Sequence, residues 1–132
     1  MSQRGFTLVE VLVAASVIVV GLTAIATGLQ HGVAAVEAGR RQTTALFLAE
    51  EKLEDVKAMA LLNFAAVAGG AFAPENPVAG YPQYRRIVHV TPDPAGTANT
   101  VALRVTVAYG HAGSPATQPS SMVALATVLS RR

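Results

Sequence analysis

The chain contains no cysteine and no tryptophan among its 132 residues. Without thiols there is no disulfide framework, no thiolate nucleophile and no cysteine-held metal. Proline is missing from the first half: all seven prolines lie between Pro74 and Pro119. A proline inside a helix removes a hydrogen bond and clashes with the preceding turn, so its absence leaves residues 6 to about 62 free to run as one uninterrupted helix. Charge is scarce too, at 14% of residues with a net of only +2. No basic run is longer than two (Arg40-Arg41, Arg85-Arg86, Arg131-Arg132). Nucleic acid therefore has no electrostatic footprint to meet. His31, His89 and His111 share no ligand-like spacing, so neither a metal nor another cofactor is expected. No Ser/His/Asp set and no phosphate-binding glycine loop is visible, and the expectation is a protein that is not an enzyme, with no catalytic residues.

What is present is hydrophobicity, concentrated in the first third. Residues 6–29 carry one charge, Glu10. At about 1.5 Å per helical residue that stretch extends about 36 Å, enough to cross a hydrocarbon layer of roughly 30 Å. Gln30 and His31 then mark a membrane boundary. A carboxylate inside such a span is costly, and by default it signals function and a cationic partner. The residues ahead of it, Met1-Ser2-Gln3-Arg4, offer only Arg4. Gly28 and Gly32 form a small-x-x-x-small pair, which in a bilayer lets helices approach closely. Glycine is also simply commoner in membrane helices.

The stretch Arg4-Gly5-Phe6-Thr7-Leu8-Val9-Glu10-Val11-Leu12-Val13-Ala14 resembles the prepilin cleavage and methylation motif of type IV pilins and type II secretion pseudopilins. The resemblance covers about the first 30 residues closely and the remainder only in architecture. It implies a prepilin peptidase that cuts between Gly5 and Phe6 on the cytoplasmic side and N-methylates Phe6. It implies that Glu10, fifth residue of the mature chain, pairs with the N-terminal amine of a neighbouring subunit during assembly. The further partners implied are other pilin or pseudopilin subunits, an inner-membrane assembly platform and membrane lipid. The implied location is the bacterial inner membrane, crossed once with the N-terminus cytoplasmic and the head periplasmic, and then an extracytoplasmic filament. Two departures separate the chain from major pilins: no helix-kinking proline in the apolar run, and no cysteines to close a C-terminal disulfide loop. The resemblance is to minor subunits, either the I-type minor pseudopilins of type II secretion or the V-type minor pilins.

Beyond the apolar run the pattern becomes amphipathic. Leu46, Ala49, Leu53, Val56 and Ala60 recur at three and four residues, a single helical stripe. Glu50, Glu51, Lys52, Glu54, Asp55 and Lys57 are read as a solvated face. Residues 65–82 mix small residues with Gly69-Gly70, Pro74, Pro77, Gly80 and Pro82 and read as a loop. Strands are expected over 84–91, over 101–109 with strict alternation, and over 122–129 with both faces apolar. A turn is expected at 92–96 and a second loop over 110–121. The expected fold class is α+β and pilin-like: one long N-terminal helix packed on a small antiparallel sheet of about three strands. The expected divisions are a leader at 1–5, a transmembrane half-helix at 6–30, an amphipathic half at 31–62 and a β head at 63–132.

Two other functional classes compete with a filament subunit. A single-span anchored periplasmic binding module explains the length of the apolar run but not Gly5-Phe6 or Glu10. An exported β-domain released by ordinary signal cleavage has a small-x-small site at Ala24-Ile25-Ala26, but its signal core would be unusually long and would contain a carboxylate. An anchored enzyme is more remote still.

Overall fold

The computed structural model describes residues 7–92, 99–110 and 121–131. Gly5, Phe6 and His111 lie outside these residues, as do nearly all of the turn read at 92–96 and of the loop read at 110–121. Absence of proline has the expected effect. Helix α1 runs from Leu8 to Leu62 without a break. It passes through both units of the chain, Met1–Gly39 and Arg40–Arg132, and each unit is taken by itself below.

In the first unit every described residue is exposed, including the large apolar ones from Leu8 to Val36. The segment is long and apolar enough to cross a membrane. Its polar side chains are arranged for such a setting. Ser16 Oγ donates to the Leu12 carbonyl at 2.8 Å, Thr23 Oγ1 to Val19 at 2.7 Å and Thr27 Oγ1 to Thr23 at 3.1 Å. Hydroxyls bonded back onto their own helix need no water.

The second unit is an α+β head. The last part of α1 packs on a three-stranded antiparallel sheet of order β1-β2-β3, made of β1 (Tyr84–Pro92), β2 (Thr100–Tyr109) and β3 (Ser121–Ser130). Three strands with one apolar face need such a helical cover to be stable. Alternation decides which residues turn inward. Val101, Leu103, Val105 and Val107 of β2 are buried, and the register sets Val88 of β1 and Leu125 of β3 on either side of Val105. Burying each such side chain fully contributes about 1.5–3 kcal/mol. Tyr84 and Tyr109, paired across the strands, stack at 5.8 Å, and the Tyr84 hydroxyl donates to the Arg41 carbonyl at 3.4 Å.

Two local expectations need correction. The helical stripe in the core is Ala45, Leu48, Ala49, Leu53 and Val56, whereas Leu46 is 38% exposed. Ala49, Leu53 and Val56 of the expected stripe are buried and Ala60 packs against the core, while Ala45 and Leu48 stand in place of Leu46. The stretch read as a loop from 65 contains a second helix, α2 (Phe64–Gly69). Asn63 breaks the first helix with an extended backbone and caps the second, its side-chain oxygen accepting from Ala66 N–H at 3.1 Å. Gly80, with φ of 77°, holds the third position of the turn from Val78 to Tyr81, where a type II turn requires glycine.

The two edges of the sheet differ. The start of β1 is covered: Glu75 exchanges two main-chain hydrogen bonds with Arg86, both 2.9 Å, and Val78 N–H donates to Tyr84 at 2.9 Å. Among the described residues, β3 pairs only with β2.

Candidate functional site

The sequence singles out Glu10, and the local fold explains its position. Thr7 is a good helix cap because its hydroxyl can satisfy an amide that the helix itself leaves free. Its Oγ1 accepts from the Glu10 N–H at 3.3 Å, and its carbonyl accepts from the same N–H at 3.0 Å. Thr7-x-x-Glu10 has the spacing of a capping box. The carboxylate consequently stands in the first turn of α1 and is exposed. Among the polar side chains of residues 8–29 it alone lacks a partner, because the three hydroxyls are satisfied by their own helix. The Glu10 carboxylate makes no such bond to its own helix, although the first-turn amides near it are ones a helix leaves free. Any counter-charge for Glu10 has to come from outside the described residues. Gly5 and Phe6, the other residues singled out, fall outside them. The glycines at 21, 28, 32 and 39 meet nothing within 4 Å of an added Cβ, so nothing within the chain requires them to be glycine.

In the head, sequence reasoning missed the principal polar cluster. Arg86 lies on β1 in phase with Tyr84 and Val88, which places a guanidinium on the buried side of the sheet, 7% exposed. A buried cation must be paired and fully hydrogen-bonded. Nη2 and Nε donate to Glu75 Oε2 at 2.6 and 3.1 Å, and Nη1 donates to the Leu48 carbonyl at 2.9 Å and to Glu51 at 3.3 Å. Lys52 reaches the other Glu75 oxygen at 2.7 Å. One arginine thus ties α1, the segment before β1 and β1 itself. The acidic stretch of α1 is therefore not merely a solvated face: Glu51 and Lys52 belong to this cluster. The signal available in the sequence was the alternation, which puts Arg86 where an apolar residue belongs.

The cluster makes the head sensitive to acid. Burial alone would raise the Glu75 carboxyl, but hydrogen bonds and charge from Lys52 and Arg86 outweigh it and hold the group below its usual value of 4.5. A carboxyl with a depressed folded-state pKa contributes stability above its unfolded value, and that contribution is lost as pH falls through the folded one. Thermal unfolding of the head is expected to hold steady down to about pH 5 and to weaken below about 4.5. Glu75→Gln should flatten that acid limb. An unchanged limb in the variant would remove Glu75 from the explanation.

Among the described residues no three His, Asp or Glu side chains gather as metal ligands. His31 lies on the exposed helix of the first unit and His89 on the outer face of β1, opposite Arg104.

Residues 1–26 match the family model described as the prokaryotic N-terminal methylation motif. No curated protein and no solved structure matches the chain. The N-terminal segment thus carries a prokaryotic N-terminal methylation motif, the mark of type IV pilin-like chains.

Proposed function

We propose that this chain is a minor subunit of a pilin-like filament, serving either a type II secretion pseudopilus or a type IV pilus. Residues 1–5 are its leader, cut between Gly5 and Phe6 by the prepilin peptidase, with Phe6 then N-methylated. Residues 6–30 cross the bacterial inner membrane with the N-terminus cytoplasmic, 31–62 continue the helix, and 63–132 form the periplasmic head. An assembly platform then moves the subunit from lipid into the fibre. The observation that carries this reading is Glu10: a carboxylate in the first turn of an apolar run whose hydroxyls, Ser16, Thr23 and Thr27, are internally satisfied, and which lies inside the segment matching the methylation motif.

A neighbour's N-terminal amine would answer that charge without any polar solvent. In a low-dielectric surrounding one such pair is strong enough to set the register between helices. The exposed glycines 28 and 32 fit close packing of apolar helices in the fibre.

Intact mass and N-terminal sequencing of the protein extracted from membranes of its host test the processing step. A chain beginning at Phe6 and bearing one added methyl group is expected. A start at Thr27 would make it an ordinary exported domain, and an intact Met1 would leave a plain membrane anchor.

A further inference from the structure

β3 has the composition of an interior strand and the position of an edge strand. A sheet edge exposes a row of unpaired N–H and C=O groups, and folded proteins guard it with charge, proline, a bulge or a covering segment. β1 follows that rule. Glu75 covers its start through two main-chain bonds, and Arg85 and His89 line its outer face. Among the described residues β3 has none of these devices. It runs ten residues from Ser121 to Ser130 with no charge and no proline, and its register with β2 is unbroken, so there is no bulge.

Its side chains repeat the contrast. Val123, Leu125, Thr127 and Leu129 point to the helix side and are half-buried. Met122, Ala124, Ala126 and Val128 point the other way, with Met122 and Val128 each 68% exposed. A strand that faces water on one side normally alternates apolar with polar, whereas apolar residues on both faces belong to strands with cover all round. Ala58, Leu61, Phe64 and Leu129, together with the Glu54–Lys57 ion pair, line an open hollow next to the end of β3, and Leu61 is 89% exposed.

We propose that the free edge of β3 accepts a fourth strand, supplied by an extended segment of another protein chain that is itself apolar on both faces. Only a second extended backbone can satisfy a row of backbone groups, which selects a strand over a helix or a lipid. Cross-strand pairing with Val123, Leu125 and Leu129 on one face and Ala124, Ala126 and Val128 on the other selects its apolar side chains. The hollow by Leu61 takes the helix-side residues of the added strand. The inference concerns the head alone and stands or falls independently of N-terminal processing.

The test uses the full chain in detergent micelles and a fluorescent peptide copying β3 itself, Ser121–Ser130, an uncharged strand apolar on both faces. Saturable binding is expected, with amide exchange in β3 slowed about tenfold or more on saturation. Ala126→Lys places a guarding charge at an exposed position, and it should weaken binding at least about tenfold with thermal unfolding unchanged. Peptides N-methylated on one or the other alternate set of residues separate backbone from side-chain recognition. One set should abolish binding and the other retain it. Equal binding by both would mean that an apolar surface rather than the strand edge is recognised, and it would overturn the proposal. No binding of the unmodified peptide would overturn it as well.

Discussion

Glu10→Ala is expected to leave cleavage before Phe6 and its methylation intact, while incorporation into sheared filaments falls at least about tenfold. The reason lies in the accounting of polar groups along α1. Ser16, Thr23 and Thr27 close their hydrogen bonds onto carbonyls of the same helix, so none of them needs a neighbour. Glu10 makes no such bond and is the one charged group in the apolar run. Glu10→Gln separates charge from polarity. If charge pairing drives assembly, the amide fails nearly as badly as alanine; if a hydrogen bond suffices, it rescues. Immunoblots of filament and membrane fractions, normalised to total processed subunit, give the measurement. Normal incorporation of Glu10→Ala would remove this residue from the assembly step.

The second large effect concerns the head alone. Arg86→Ala should cost about 3 kcal/mol, since it deletes one partner of a buried ion pair and strands the other. For a unit running from Arg40 to Arg132 that corresponds to a fall in Tm of roughly 10–20 °C. The loss has three parts: Glu75 keeps only Lys52, the Leu48 carbonyl loses its extra donor, and a hole opens beside the buried strand. Glu51→Ala is the control. Its carboxylate is half exposed and sits 3.3 Å from the guanidinium, so the change should cost under about 1 kcal/mol. Calorimetry on the two variants decides the matter, and equal losses would mean that the exposed Glu51 rather than Glu75 is the partner that matters.

Legibility in the sequence followed the range of the interaction. The long helix was readable because what breaks a helix is local, and proline is absent until Pro74. β2 was readable because its alternation is strict from Val101 to Tyr109, and β3 showed both apolar faces at once. Glu10 stood out because one charge in an apolar run has no local excuse. The Arg86 cluster was not readable as a cluster. Its partners lie 35 and 11 residues away, at Glu51 and Glu75, and only the folded sheet brings them together. α2 escaped because its sequence, Phe-Ala-Ala-Val-Ala-Gly, sits among the glycines and prolines of a loop, and the cap that starts it is the same Asn63 that ends α1. The core stripe was readable in four of its five residues, Ala49, Leu53, Val56 and Ala60, and only Leu46 lies off it.

The cap at Thr7 has one more consequence. A helix is an electric object: its aligned peptide dipoles leave about half a positive charge at the N-terminal end, confined to the first turn. Glu10 occupies that turn. Its carboxylate is therefore attracted by the end of its own helix, with no second chain involved. A longer or shorter spacing from Thr7 would move the group out of this field. A cation brought by another chain, as proposed above, would complete a neutralisation that the helix has already begun.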